Sequence, residues 1–200
     1  MNLKQNLIIT YSNQKARELK KTLKNPLDKV VTLSSFVNEF FEKNSFKTLI
    51  KPIIATSFIY KTIKDENIEY LDFISLNSNT LNLIYDFILK ANSSKVDLSR
   101  ILKDEKLKAI EILNSKYQEF KNKNNLVDNN DVFQLAIDDF DKNDFTKYEK
   151  IYVDSFEIRN IKFYKSNLEL ELLKLFSKIS IPLEQTIATS TNAKLHKLSK

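Results

Sequence analysis

Lys15, Asp154 and the hydroxyls of Thr32, Ser34 and Ser35 are the side chains of this sequence that stand where chemistry can be built. Asp154 closes the apolar run Ile151-Tyr152-Val153. A carboxylate at the end of a buried strand either holds a divalent cation through water or caps the turn that follows. Lys15 comes shortly after another apolar run, in a helix whose lysines, Lys15 to Lys24, read as solvent-facing. Thr32, Ser34 and Ser35 lead into Phe36. They suit a helix N-cap with a core phenylalanine behind it. Asp128, Asp131, Asp138, Asp139, Asp141 and Asp144 are loosely spaced and lack the glycine of a calcium loop, so they read as a solvated face with a cap at Asp131. His196, the one histidine, belongs to a Lys-rich tail.

The missing residue types narrow the chemistry further. There is no glycine, although about 7% is usual. Phosphate-binding loops, dinucleotide fingerprints and nucleophile elbows all need glycine where the backbone turns with positive φ or approaches a phosphate. There is no cysteine, which excludes thiol catalysis, disulfides and Cys-ligated metal centres. A single histidine leaves almost no material for His-based metal sites or Ser-His-Asp triads. No catalytic residue, metal ligand set or cofactor is expected in this segment.

The net charge of +6 invites a nucleic-acid reading, but its basis is almost entirely lysine. Arginine, the better bidentate reader of phosphate and guanine, is confined to Arg17, Arg100 and Arg159. With Asn, Ile and Phe also abundant, the composition matches the codon bias of an AT-rich genome, and the charge by itself carries little weight. No apolar run approaches the length of about 18 residues that spans a bilayer. The polar start, Met1 to Asn6, does not resemble a signal peptide. The expectation is a cytoplasmic protein without a membrane partner.

The elements that would position these residues can be read from periodicity. Leu7 to Tyr11 is a buried strand, followed by a helix with Ala16, Leu19 and Leu23 on one face, ending before Asn25-Pro26. Lys29 to Leu33 is a second strand. The next helix, capped by Ser34 or Ser35, carries Phe36, Val37, Phe40 and Phe41. This β-α-β-α order is the mark of a parallel sheet with crossover helices. A helical block follows. Pro52 opens a helix with Ala55, Phe58, Ile59, Thr62 and Ile63. Leu81, Ile84, Phe87, Ile88 and Ala91 line another, Leu107 to Phe120 a third within about Asp104 to Lys123, and Val132 to Phe140 a shorter one. The two-layer pattern then returns with strand Lys150 to Asp154, a long helix from Ile161 to Ile179, and a strand at Glu184 to Thr189. The expected division is 1–50 and 141–200 as α/β, with 51–140 as a helical insertion.

Several of these stretches resemble a known family. Tyr117-Gln118-Glu119-Phe120, Asn125-Leu126-Val127-Asp128 and Asp131-Val132-Phe133-Gln134-Leu135-Ala136 are similar to a segment of UvrD/RecB-type helicases in which a helix ends in a turn before the next helix. Ile151-Tyr152-Val153-Asp154-Ser155-Phe156 lies where that family has its Mg²⁺-binding strand. Thr32-Leu33-Ser34-Ser35-Phe36 looks like the motif that contacts single-stranded DNA in active relatives. Tyr11-Ser12-Asn13-Gln14-Lys15-Ala16 occupies the place of the phosphate-binding loop without its glycines or its Gly-Lys-Ser/Thr. Over roughly Leu7 to Ile187 the chain resembles the N-terminal part of the AddB subunit of AddAB helicase–nucleases, with decayed helicase motifs.

The resemblance implies a RecA-like, P-loop NTPase-like parallel sheet with a large helical insertion and a degenerate nucleotide site. Lys15 and Asp154 would be remnants of that site, with Ser155 in place of the Glu that orients the attacking water. Thr32, Ser34, Ser35 and Phe36 would meet DNA, single-stranded by preference. It implies an AddA-like helicase–nuclease subunit as partner, a role in processing double-strand breaks and scanning for the hotspot Chi, and a PD-(D/E)XK nuclease domain elsewhere in the parent protein. Further strands would follow the one expected at Glu184 to Thr189. The competing expectation is a protein-interaction or scaffold domain with no DNA contact. What separates the two is whether Lys and Ser/Thr groups converge at the carboxyl ends of the strands.

Overall fold

The computed structural model describes residues 5–23, 25–66, 68, 71, 76–94, 105–143, 145–154, 157–158, 161–162 and 166–182. The chain separates into two compact units, Met1–Asn44 with Leu135–Lys200, and Ser45–Gln134. The first is α/β with a small parallel sheet; the second is mostly helical.

In the α/β unit, β1 (Gln5–Thr10) leads into α1 (Asn13–Thr22), β2 (Lys29–Thr32) into α2 (Leu33–Asn44), and β5 (Tyr148–Val153) follows the helical unit. β8 (Ile181–Pro182) completes a sheet of order β2-β1-β5-β8. β1 is parallel to both neighbours, with Ile8 opposite Val30 and Tyr152, and Ile9 opposite Val31 and Val153. A strand paired on both sides and covered on both faces must be apolar throughout. Leu7, Ile8 and Ile9 meet that demand and are all buried. Alternation sends Ile8 to one face, where it packs with Val30 and with Ala16 and Leu19 of α1. The opposite layer holds α2 and α7 (Asn167–Ser177), joined through Phe36, Phe140, Phe145 and Phe176. Phe176 meets Phe36 and Phe140 edge-on, with centroids 5.1 and 5.0 Å away, a geometry worth about 0.5–1.5 kcal/mol per pair beyond area burial.

Helix starts differ from the sequence expectation where a side chain outcompetes periodicity. α2 begins at Leu33, because Thr32 rather than Ser34 or Ser35 is its cap: the Ser35 amide donates to Thr32 Oγ1 at 3.1 Å. α7 begins at Asn167, not Ile161, because Ser166 Oγ accepts from the Glu169 amide. Ile161 instead lies in β7 (Ile161–Lys162), paired antiparallel with β6 (Glu157–Ile158). The strand expected at Glu184 to Thr189 lies outside the described residues.

In the helical unit, α3 (Pro52–Asp65), α4 (Ser78–Ser93) and α5 (Glu105–Lys123) surround a core that includes Ile59, Ile63, Ile88, Leu113 and Tyr117. Phe58 stacks on Phe120 with centroids 4.2 Å apart. The unit starts before residue 51 because β3 (Thr48–Leu49) pairs in parallel with β4 (Leu126–Val127). Asn125, at φ 55°, turns the chain from α5 into β4. Asn is the residue other than Gly that best tolerates this left-handed region, so a glycine-free chain can still end a helix here.

α6 (Asn129–Asp138) is capped by Asp128, not by Asp131. Asp128 Oδ1 accepts from the Asn130 and Asp131 amides, and Asp131 Oδ2 accepts in return from the Asp128 amide at 2.8 Å. This is a capping box with aspartate in the third helical position. Lys121 donates to both carboxylates at 2.6 Å, with 3% of its side chain exposed and 1% of that of Asp128. The acidic cluster is therefore in part an internal network rather than a solvated face. Tyr117 lies beneath it, its ring centroid 5.1 Å from Lys121 Nζ and its hydroxyl donating to Tyr85. Burial raises the pKa of both phenols above the ordinary tyrosine value.

Removing one member of a buried ion network leaves an uncompensated charge, which costs about 3–5 kcal/mol. Lys121→Met is therefore expected to destabilise the helical unit by about that amount, while Lys123→Met, at an exposed site, stays within about 0.5 kcal/mol of the parent. Urea unfolding followed by circular dichroism compares the two. Equal midpoints for both variants would show that the network does not support the fold.

Candidate functional site

The strand order places a topological switch point between β1 and β5: the chain leaves β1 for β2 on one side and returns to β5 on the other. In open α/β sheets, ligands bind in the crevice outside the carboxyl ends of the strands at such a point. Here that edge carries Thr32 from β2, Thr10 from β1 and Asp154 just after β5, three polar side chains in a row at the ends of apolar strands.

Asp154 extends the β5 ladder by one residue, its amide donating to the Ile9 carbonyl at 2.8 Å. That pairing brings its carboxylate beside Thr10, whose hydroxyl donates to Oδ2 at 3.0 Å. Thr10 is fully buried and Asp154 6% exposed. Burying an ionised carboxylate is tolerated only with hydrogen bonds to it, and Thr10 supplies one.

Lys15 enters the site through its backbone. β1 ends at Thr10 and α1 begins at Asn13, so Tyr11 and Ser12 alone connect them. Ser12 caps α1, its Oγ accepting from the Lys15 amide at 3.1 Å. A nucleotide-binding loop presents a longer run of free backbone amides, exposed by glycine, ahead of its lysine. Two residues cannot wrap a triphosphate, and one first-turn amide is already bonded to Ser12. These residues do not fit a nucleotide with its Mg²⁺. Asp154 is one carboxylate held by Thr10 and the sheet, and Ser155 lies outside the described residues.

The hydroxyls at the end of β2 divide by role. Thr32 Oγ1 and Ser35 Oγ lie 2.8 Å apart, and Thr32 also receives the Ser35 amide. Ser34 is exposed on the first turn of α2. Phe36 is 8% exposed and its ring meets those of Phe145 and Phe176, so little of it is open to a base. The structure thus joins Thr32 to Ser35 and Thr10 to Asp154, and sends Phe36 into the core.

Thr10 and Ser12 went unmarked in the sequence, although the signal was there. Leu7-Ile8-Ile9-Thr10 and Ile151-Tyr152-Val153-Asp154 are both three apolar residues closed by a polar one. If two such strands are parallel neighbours in register, their polar ends must touch. No protein-family model matches the chain, and a search of curated proteins finds no match either.

Thr10→Val removes the hydroxyl from a buried carboxylate while keeping the shape. The expected loss is about 1–3 kcal/mol of stability, with Thr10→Ser retaining most of it. Chemical denaturation of the three proteins is the check; equal losses for Val and Ser would show that packing, not the hydrogen bond, holds this edge.

Proposed function

We propose that the chain is a noncatalytic, helicase-like segment of a recombinational-repair helicase–nuclease, similar to the N-terminal part of an AddB subunit. In this reading the α/β unit is RecA-like, the helical unit is its insertion, and the nucleotide site has decayed. The segment engages single-stranded DNA in the cytoplasm beside an AddA-like subunit. The observation that carries the reading is the carboxyl edge. Hydroxyls of Thr10, Ser12, Thr32, Ser34 and Ser35 stand along the carboxyl edge of a parallel sheet, while the connection that would have to hold ATP is reduced to Tyr11 and Ser12.

One observation favours the scaffold reading. α3 and α4 expose Ile53, Tyr60, Leu83 and Phe87, between 42% and 69% accessible. Exposed apolar side chains at helical spacing suit a protein partner better than a nucleic acid. The two readings predict different binding.

On the first reading, fluorescence anisotropy with oligonucleotides shows weak binding that prefers single strands, its affinity falling with salt at a slope of about −0.7 per phosphate contact. No binding even at low salt would hand the chain to the scaffold reading. Titration with a fluorescent ATP analogue and Mg²⁺ is expected to show no saturable binding. Micromolar binding abolished by Lys15→Ala would overturn the decay of the nucleotide site.

A further inference from the structure

The opposite edge of the same sheet carries a second feature. Lys29 opens β2 and Tyr148 opens β5, so the groove they line, of about 200 Å³, lies at the amino ends of the strands. Lys43, Lys142 and Lys147 line it too, with the edges of Phe36 and Phe40. The four lysines come from a strand start, a helix end, a 3₁₀ turn and the loop before β5. Like charges drawn from four separate segments repel one another, so their convergence carries an electrostatic cost.

Carboxylates offset only part of this charge. Glu39 pairs with Lys29, and Asp139 with Lys142 at 2.7 Å. Lys43 and Lys147 are exposed and have no carboxylate partner among the described residues. Lys147 lies 5.1 Å from the ring centroid of Tyr148, a contact that leaves its charge facing water. The groove therefore keeps a net positive charge over an apolar lining.

Size and residue type indicate the ligand. Small-molecule sites enclose about 300–1,000 Å³, and this open groove is smaller, so an enclosed cofactor does not suit it. Lysine is a point charge that meets phosphate without the paired geometry that arginine uses to read bases. We infer that the amino-edge groove holds the phosphodiester backbone of a single nucleic-acid strand, independently of sequence, with Lys43 and Lys147 as its principal contacts. This deepens the DNA-engaging reading and rests on it. It also moves the electrostatic contact away from the carboxyl edge, where Thr32, Ser34 and Ser35 provide neutral groups only.

The test uses the full chain and a fluorescent single-stranded oligonucleotide at several salt concentrations. Lys43→Glu/Lys147→Glu is compared with Lys61→Glu/Lys64→Glu, which makes the same change in net charge on exposed positions of α3. Lys43→Gln/Lys147→Gln guards against misfolding from charge reversal, and Ser34→Ala reports on the other edge. Loss of two phosphate contacts is expected to weaken binding about tenfold or more at low salt and to make the salt slope shallower by about 1.4. The α3 variant should change it far less. If the parent binds and the groove variants bind as well as the α3 variant, the groove assignment falls while the DNA reading stands. If Ser34→Ala alone abolishes binding, the contact belongs to the carboxyl edge and the groove assignment again falls. If the parent does not bind at all, both fall.

Discussion

Two residues separate the central strand from the helix that follows it, and the carboxyl edge of the sheet is built around that shortness. With only Tyr11 and Ser12 to turn the chain, there is no loop to stand away from the sheet and surround a ligand. The first turn of α1 is held close by the Ser12 cap. The strand end beneath is held by its neighbours, because Thr10 and Asp154 stand at the same level of two parallel strands and bond to each other. Each of these contacts occupies a group that a nucleotide site would leave free. The edge keeps the polar character of a ligand site while its donors and acceptors bond one another.

The same economy follows from a chain without glycine. Where a glycine would open a turn, this protein closes it with a side chain: Ser12, Thr32, Asn77, Asp128 and Ser166 each accept from a first-turn amide of the next helix. Each such cap contributes about 1 kcal/mol. Among the described residues, the position with φ in the left-handed region falls to Asn125. At Asp128 the cap is buried, and a buried carboxylate needs more than backbone amides. Lys121 answers that need from the last turn of α5, which ties the end of one helix to the start of another through β4. Caps that are individually weak thus become part of the packing.

These devices explain what could be read in advance. Apolar spacing is a local property, so the β-α-β-α start and helices α3, α4 and α5 were legible, along with most of their core positions. The failures lie where one tertiary partner decides. Lys121 begins the Lys-Asn stretch that ends α5, and nothing in that local pattern shows that Asp128 and Asp131 make its burial tolerable. Ile161 has the right spacing to extend a helix, yet Ser166 starts that helix later, and the Ser-x-x-Glu pattern from Ser166 to Glu169 was a capping signal in plain view. Phe36 could not be resolved from sequence, because a core ring and a stacking platform have the same local pattern. Its surroundings, Phe145 and Phe176, come from distant parts of the chain.

The two edges of the sheet differ in charge for a reason rooted in topology. In a parallel α/β unit every crossover helix starts at the carboxyl edge and ends at the amino edge. Helix N-termini with their partial positive charge therefore gather at the first, and C-termini with partial negative charge at the second. Hydroxyl caps suit the first edge, and Ser12 and Thr32 stand there as caps. Lysines suit the second, and α1 and α2 end in Lys20, Lys21 and Lys43. That rule covers one or two cations per helix. Lys29, at a strand start, is offset by Glu39 instead, but neither account covers Lys147, which comes to the same groove from a loop with no helix dipole to offset. The charge left over by the dipoles and the ion pairs, rather than the net charge of +6, is the part of this protein's basic character on which the proposed contact with an anionic strand rests.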